Sequence, residues 1–505
     1  MTEGALAVLG TASGVGKSRL VAGLCRLLAR RGVRVAPFKA QNMSLNSVAT
    51  ASGHEIARSQ AHQALAARIE ATVEMNPVLL KPEGDRTSQL ILRGRPAGRV
   101  RAGERWPSWE SVGEVVLSSL AELRRRVDVV LVEGAGGAAE INLLDHDLAN
   151  LPLAARAGLP AVLVGDIERG GVFAALYGTV ALVPDDLRGT LRGFVINKFH
   201  GDTRLLAPGI SELERRCNLP CFGVLPHLGP LGLDEEDALT LAVDRRAGPA
   251  PAGAAEVIVD IAVVALPHLS NFTDFEPLAL EPGVTLRYVR DGAALHGADL
   301  VVLPGSKATV TDLAWLRASG MADALARAHR RGAALLGICA GYQMLGTEIC
   351  DEVESGAGTV PGLGVVSAHT EFSTEKTVRQ RTMRSAGGET VTGYELHHGT
   401  VSSGGEPPWF HDEDGRSEGI ANERRAVFAT SLHGLFEQDA FRSAFLGALA
   451  HRRGARRPPA RISYAAARNA QIDRVADALA EHLDVALLFA LAETASPPGT
   501  ARPRC

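Results

Sequence analysis

Cysteine and aromatic residues are both scarce in this chain of 505 residues: there are six cysteines, and Phe, Trp and Tyr together make up 5%. Six thiols scattered at positions 25, 217, 221, 339, 350 and 505 cannot staple a chain this long. That excludes a disulfide scaffold and fits free thiols in a reducing cytoplasm. Cys217 and Cys221 have no second pair that would complete a zinc site. Long apolar runs are missing too. The runs at 127–132 and 257–266 fall well short of the roughly twenty residues that span a bilayer. The opening Met-Thr-Glu-Gly-Ala-Leu lacks the layout of a signal peptide. Neither sign of charge dominates, with 53 Lys and Arg against 57 Asp and Glu and a formal net charge of −4. A nucleic-acid or membrane-surface partner is therefore not expected. What remains is the composition of a cytoplasmic globular protein, too long for one hydrophobic core and expected to form two or three domains.

Short apolar runs at 5–10, 33–38, 127–133, 160–165, 193–197 and 221–225 alternate with stretches of helical period such as 18–31 and 52–71. This alternation predicts an α/β fold with a mostly parallel sheet covered on both faces. Pro, Gly and Ala crowd the segment 244–256 and predict a linker between a first domain, 1–243, and a second, 257–450. The second domain repeats the pattern, with strands expected at 257–266, 284–288, 300–303, 333–338 and 427–431. Residues 451–505 read as a basic stretch, an amphipathic helix with Ile472, Val475, Leu479 and Leu483 on its apolar stripe, and a disordered tail.

Gly10-Thr-Ala-Ser-Gly14-Val-Gly16-Lys17-Ser18 lies between an apolar strand and a helical period. In such a phosphate loop backbone amides face the phosphates, the lysine reaches the β and γ oxygens, and the hydroxyl holds Mg²⁺. Lys17 and Ser18 fill those places, although the loop is one residue longer than the common spacing. Glu133, at the end of another apolar run, is a candidate second Mg²⁺ ligand. Glu140, Asn142, Asp145, Asp147 and Asn150 could hold metal, position substrate or line a solvated loop. The guanidinium groups in the basic run from Lys81 to Arg105 suit several carboxylates, but a solvated loop is at least as favoured for most of them, with one or two left to touch substrate.

Far downstream, Gly337-Ile-Cys339-Ala-Gly-Tyr-Gln343 places a thiol directly after a buried run, with small residues following. A sharp turn there would project the sulfur at a helix start, where the next amide can bind an oxyanion. His433, in Ser431-Leu-His-Gly434, is the natural base, and Gly305 could supply a further amide. An acid to orient His433 is not evident. Leu435 stands where one is usual, and Glu437 is a possible substitute. His397 and His398 could line the site or be ordinary buried or surface histidines.

Together these motifs resemble the cobyric acid synthase family, as do Ala36-Pro-Phe-Lys39-Ala-Gln-Asn-Met-Ser-Leu-Asn-Ser47, Met75-Asn-Pro-Val-Leu-Leu-Lys-Pro82, Asp166-Ile-Glu-Arg-Gly-Gly-Val-Phe-Ala174, Asn197-Lys-Phe199 and Leu266-Pro-His-Leu-Ser-Asn-Phe-Thr-Asp-Phe275. The resemblance implies an N-terminal P-loop domain like that of dethiobiotin synthetase, which shares the longer loop. It also implies a C-terminal class I glutamine amidotransferase-like α/β domain of a subtype lacking the usual acid after the histidine. Ala340 departs from the glycine common in relatives. Carried over by position, Cys339 and His433 are catalytic, Gly14, Gly16, Lys17, Ser18, Lys39 and Asn197 contact ATP, and Ser18 and Glu133 hold Mg²⁺. The implied substrates are glutamine and adenosylcobyrinic acid a,c-diamide. Two other readings stay open: a cobyrinic acid a,c-diamide synthase, and a regulatory P-loop ATPase with an inactive amidotransferase-like module. The oligomeric state is not legible.

Overall fold

Ala5, Ala7 and Leu9 belong to one buried cluster, while Leu6 and Val8 belong to another. Successive strand side chains leave opposite faces, so a strand apolar at every position must be covered on both. In the computed structural model, which describes residues 4–84, 86–101, 109–229, 246–247, 258–457 and 462–497, this strand lies within a six-stranded sheet. The order is Cys221–Pro226, Leu191–Phe199, Ala161–Asp166, Gly4–Gly10, Val129–Glu133, Val35–Phe38. All neighbours are parallel. The six strands expected from the apolar runs are all present. Their carboxyl ends share one edge, where ligands bind in open α/β sheets.

Two expectations for this half need correction. Residues 52–71 are not one helix, because Ser47–Ala49 and Glu55–Ala57 form an antiparallel ribbon and the helix runs only from Arg58 to Ala66. The reason is a tight turn, with Thr50 N–H bonded to His54 O at 2.7 Å. The described part of the basic run is mostly strand and not loop, although Arg95, Arg99 and Arg101 are exposed as a solvated run requires, and Arg105 lies outside the described residues. Gln41–Met43, Val78–Pro82, Thr87–Leu92 and Arg95–Arg101 make a four-stranded sheet that buries Lys81.

The second sheet has seven strands in the order Arg246–Ala247, Val284–Val289, Val259–Val264, Leu300–Leu303, Ala334–Ile338, Val427–Thr430, Ile420–Asn422. Its five central strands are parallel and its two edge strands antiparallel. A separate sheet carries the long antiparallel pair Ala368–Ser385 and Thr390–Ser403, which gave no clear signal in the sequence. Of the expected linker only Arg246 and Ala247 fall among the described residues, and the tail beyond residue 497 lies outside them.

The helix Tyr464–His482 buries Ile472, Val475 and Leu479 as its apolar stripe requires. It packs on the N-terminal domain, in the same buried cluster as Leu20, Leu24 and Leu27. Arg30 bonds Asp473 at 2.8 Å and Asp477 at 2.5 Å across that contact. The chain's last helices therefore return to its first sheet. Among the described residues no helix is long and apolar enough to cross a membrane.

Candidate active site

Cys339 sits between the strand Ala334–Ile338 and the helix Ala340–Leu345, at φ 52° and ψ −110°. A residue with a side chain keeps such a backbone only where its surroundings hold it. Here Cys339 N–H donates to Thr430 O at 2.8 Å. The helix presses so close on the strand Leu300–Leu303 that a Cβ at Gly341 would lie 1.9 Å from Leu303 O. Only glycine fits there. The result is a strand-to-helix elbow that projects the sulfur into a small cavity of about 40 Å³, lined also by His433, His397, Gln343, Lys81, Lys307 and Lys376.

His433 Nδ1 lies 2.7 Å from Asp274 Oδ2, and Gly434 N–H donates to Asp274 Oδ1 at 2.9 Å. The Tyr394 ring stacks on the imidazole, with centroids 5.3 Å apart. Burial by itself would strip the imidazole of its proton. The Asp274 charge and the neighbouring Cys339 overcome that and push His433 up to about 10. Cysteine, histidine and acid thus form a connected set. Glu437, the candidate acid in the sequence, instead pairs with Arg58 at 2.6 Å. His397 also faces the cavity, and burial draws it down to about 4, so it stays neutral. His398 Nδ1 bonds Ser373 O at 3.1 Å. Gly305 approaches this centre as well, since a Cβ there would stand 3.1 Å from His433 Cε1.

The phosphate loop is shaped by Gly14 and Gly16, at φ 73° and 100°. A Cβ on Gly16 would stand 2.2 Å from Asn197 Nδ2, and that amide donates to Val15 O at 2.8 Å. Asn197 is therefore braced against the loop's own backbone. Lys17 Nζ donates to Ala12 O at 3.0 Å and Gly136 O at 2.8 Å. Ser18 Oγ donates to Glu133 Oε1 at 2.8 Å, and Lys39 Nζ reaches the same oxygen at 2.9 Å. Gln63 Nε2 holds the other oxygen. A hydroxyl and a buried carboxylate converging at hydrogen-bond distance are hard oxygen donors of the kind Mg²⁺ takes, so these residues fit that ion. Within the acidic cluster, Asp147 accepts from the N–H groups of Ala149 and Asn150, and Asn150 in turn bonds both backbone groups of Ala135. Those two residues hold the turn after Glu133.

Residues 6–233 match the CobQ/CobB/MinD/ParA nucleotide binding domain, and residues 260–441 match the CobB/CobQ-like glutamine amidotransferase domain. The cobyric acid synthase of Rhodococcus jostii (strain RHA1) is 49% identical over 502 residues, covering 98% of this chain and 97% of that protein. That of Mycobacterium sp. (strain KMS) is 50% identical over 501 residues, with 99% and 98% covered. The chain belongs to the cobyric acid synthase family. A third relative, the cobyric acid synthase of Streptomyces avermitilis, is 48% identical over 503 residues, with 98% of each chain covered.

For a member of the cobyric acid synthase family, the residue that sequence reasoning missed is Asp274. It stands 159 positions from His433, inside the motif Leu266–Phe275 that carried part of the resemblance. Its one sequence signal was an acid between two phenylalanines, Phe272 and Phe275, both buried. An acid inside such a run needs a buried partner.

Proposed function

We propose that this chain amidates the b, d, e and g carboxylates of adenosylcobyrinic acid a,c-diamide, using glutamine and ATP, to give adenosylcobyric acid in cobalamin biosynthesis. The observation that carries this reading is the presence, in one chain of the cobyric acid synthase family, of a Cys339–His433–Asp274 set and a phosphate loop aligned with Glu133.

In the C-terminal domain Cys339, as thiolate, attacks the glutamine side-chain carbonyl. The Ala340 amide faces the oxyanion, and the His433 imidazolium protonates the departing ammonia. Water then attacks the thioester with His433 as base, releasing glutamate and restoring the thiol. Asp274 holds the imidazole in orientation and balances its charge.

In the N-terminal domain a corrinoid carboxylate attacks the γ-phosphorus of ATP and displaces ADP. Lys17 lies at the loop to meet the β and γ oxygens, and Lys39 adds a second positive charge beside Glu133. Ser18 and Glu133 would hold Mg²⁺, which when bound supplies charge neutralisation on the phosphates. Ammonia from the thiol centre attacks the acyl phosphate, and loss of phosphate leaves the amide.

The test supplies the a,c-diamide, ATP, Mg²⁺ and amide-¹⁵N glutamine, and reads the product by mass spectrometry. Four labelled amides per corrinoid are expected. Consumption of nucleotide with no label in the corrinoid refutes the proposal. In a parallel assay that supplies unamidated cobyrinic acid, labelled amides confined to its a and c positions instead point to the diamide synthase.

A further inference from the structure

The turn that carries Asp274 is not held by its own domain alone. Asn46 Oδ1 accepts from Phe272 N–H at 3.2 Å, and Asn271 Oδ1 accepts from Ser47 N–H at 3.0 Å. Each asparagine side chain thus binds the backbone beside the other, across the boundary between the two domains. All four residues are buried. Asn271 is in the left-handed region, at φ 51° and ψ 40°, and its carbonyl accepts from Asp274 N–H at 3.0 Å. Asparagine tolerates that conformation better than other residues with side chains. The reciprocal pair therefore fixes the chain three residues before the acid.

Charged contacts cross the same boundary beside it. Glu55 takes Lys81 on one oxygen at 2.6 Å and Lys376 of the C-terminal domain on the other at 2.5 Å. Ser47 Oγ donates to Glu55 at 2.7 Å, which ties this group to the asparagine pair. Lys81 and Lys376 both line the thiol cavity. The other end of the segment lies at the phosphate centre, where Lys39 pairs with Glu133 at 2.9 Å. From Lys39 to Asn46 is seven residues, no more than roughly 25 Å of chain.

We propose that the segment 39–47 positions Asp274, and through it His433, so that the thiol centre is complete only when the N-terminal domain is docked. Asn46 and Asn271 are then positioning residues for glutamine hydrolysis. This rests on the reading of glutamine as nitrogen donor and extends it: the domain that uses ammonia also completes the centre that makes it. Losing the clamp leaves a buried N–H unpaired next to the acid's turn and lets the carboxylate drift from the imidazole.

The experiment is Asn46→Ala in the full chain, with glutamate release and ammonium-driven amidation measured on the same preparation. The kcat for glutamine hydrolysis is expected to fall roughly five- to thirtyfold, the range set by one or two buried hydrogen bonds. KM for glutamine should change little, because Asn46 does not line the cavity. Ammonium-driven amidation should hold its wild-type rate. Asn271→Ala, on the other side of the clamp, should lower the same kcat, but Asn271 also lines the cavity, so Asn46→Ala decides. A wild-type kcat for glutamine in Asn46→Ala overturns the proposal. So does a parallel loss of both activities, the mark of a merely structural role. Wild-type enzyme that cannot amidate corrinoid with ammonium would sink the proposed function instead, while the clamp would still be read by glutamate release.

Discussion

Replacing Asp274 with Asn keeps the side chain's shape and removes its charge. The carboxylate now serves His433 Nδ1 with one oxygen and Gly434 N–H with the other. An amide has one acceptor oxygen, so its NH₂ must face one of those two donors. The His433 imidazole stands at about 10 against an ordinary 6.5, a difference of roughly 5 kcal/mol in favour of the charged ring. Burial opposes that charge, and Asp274 is the larger of the two groups that restore it, ahead of Cys339, so removing its charge forfeits on the order of a few kcal/mol. If the charged ring must protonate the leaving ammonia, kcat for glutamine hydrolysis falls about a hundredfold, and more if the wrong tautomer is stabilised. The pH profile should change with it. In the wild type the proton on His433 is present below, and lost as pH rises through, about 10; in the variant that loss moves toward neutral pH. Glutamate release at saturating glutamine measures both effects, with ammonium-driven amidation as the internal control. An Asp274→Asn enzyme with wild-type kcat and an unmoved alkaline limb would refute the role given to Asp274.

Three further outcomes follow from the geometry. Lys17→Met should abolish amidation whether nitrogen comes from glutamine or ammonium, yet leave glutamate release standing; phosphate release and glutamate assays read the two centres separately. Gly16→Ala places a methyl 2.2 Å from Asn197 Nδ2 at a φ of 100°, so nucleotide affinity measured by calorimetry should weaken by an order of magnitude or more, about 1.4 kcal/mol or above, and an unchanged Kd would count against this loop as the nucleotide site. Arg442→Met removes a fully buried guanidinium that bonds Glu281 at 2.7 Å, Phe436 O at 2.8 Å and Asp439 at 2.9 Å; breaking such a network costs about 3–5 kcal/mol, and scanning calorimetry should show a clear fall in Tm without loss of the catalytic groups.

What the sequence made legible is what short-range order encodes. Cys339 and the phosphate loop each lie where a buried run ends in small residues, and His433 stands just past another such run, so elementary strand geometry brings the groups to the ends of their sheets. The strand at 78–82 hides its meaning for the same reason that the parallel strands are easy to find. Val78, Leu79, Leu80 and Lys81 are all buried, with no alternation to mark a wet face, and a lysine after three apolar residues reads as the first member of the basic run that follows. Its burial is decided by Glu55, Ser47 and the opposite domain, none of which is a local neighbour.

Asp274 carries this furthest. Nothing in its own segment marks it as the partner of a histidine 159 positions away, because the contact exists only once the C-terminal domain that holds both has folded. The acid usual two positions after the histidine is replaced here by Leu435, which is fully buried. An acid at that position would arrive on the histidine's own turn and need nothing from elsewhere. Supplied instead from the turn Phe272–Phe275, whose backbone is bonded by Asn46 of the other domain, it makes the histidine answerable to the packing between domains. The residues hardest to read from the sequence are thus the ones that join its two halves. They are also where a substitution should separate release of nitrogen from its use.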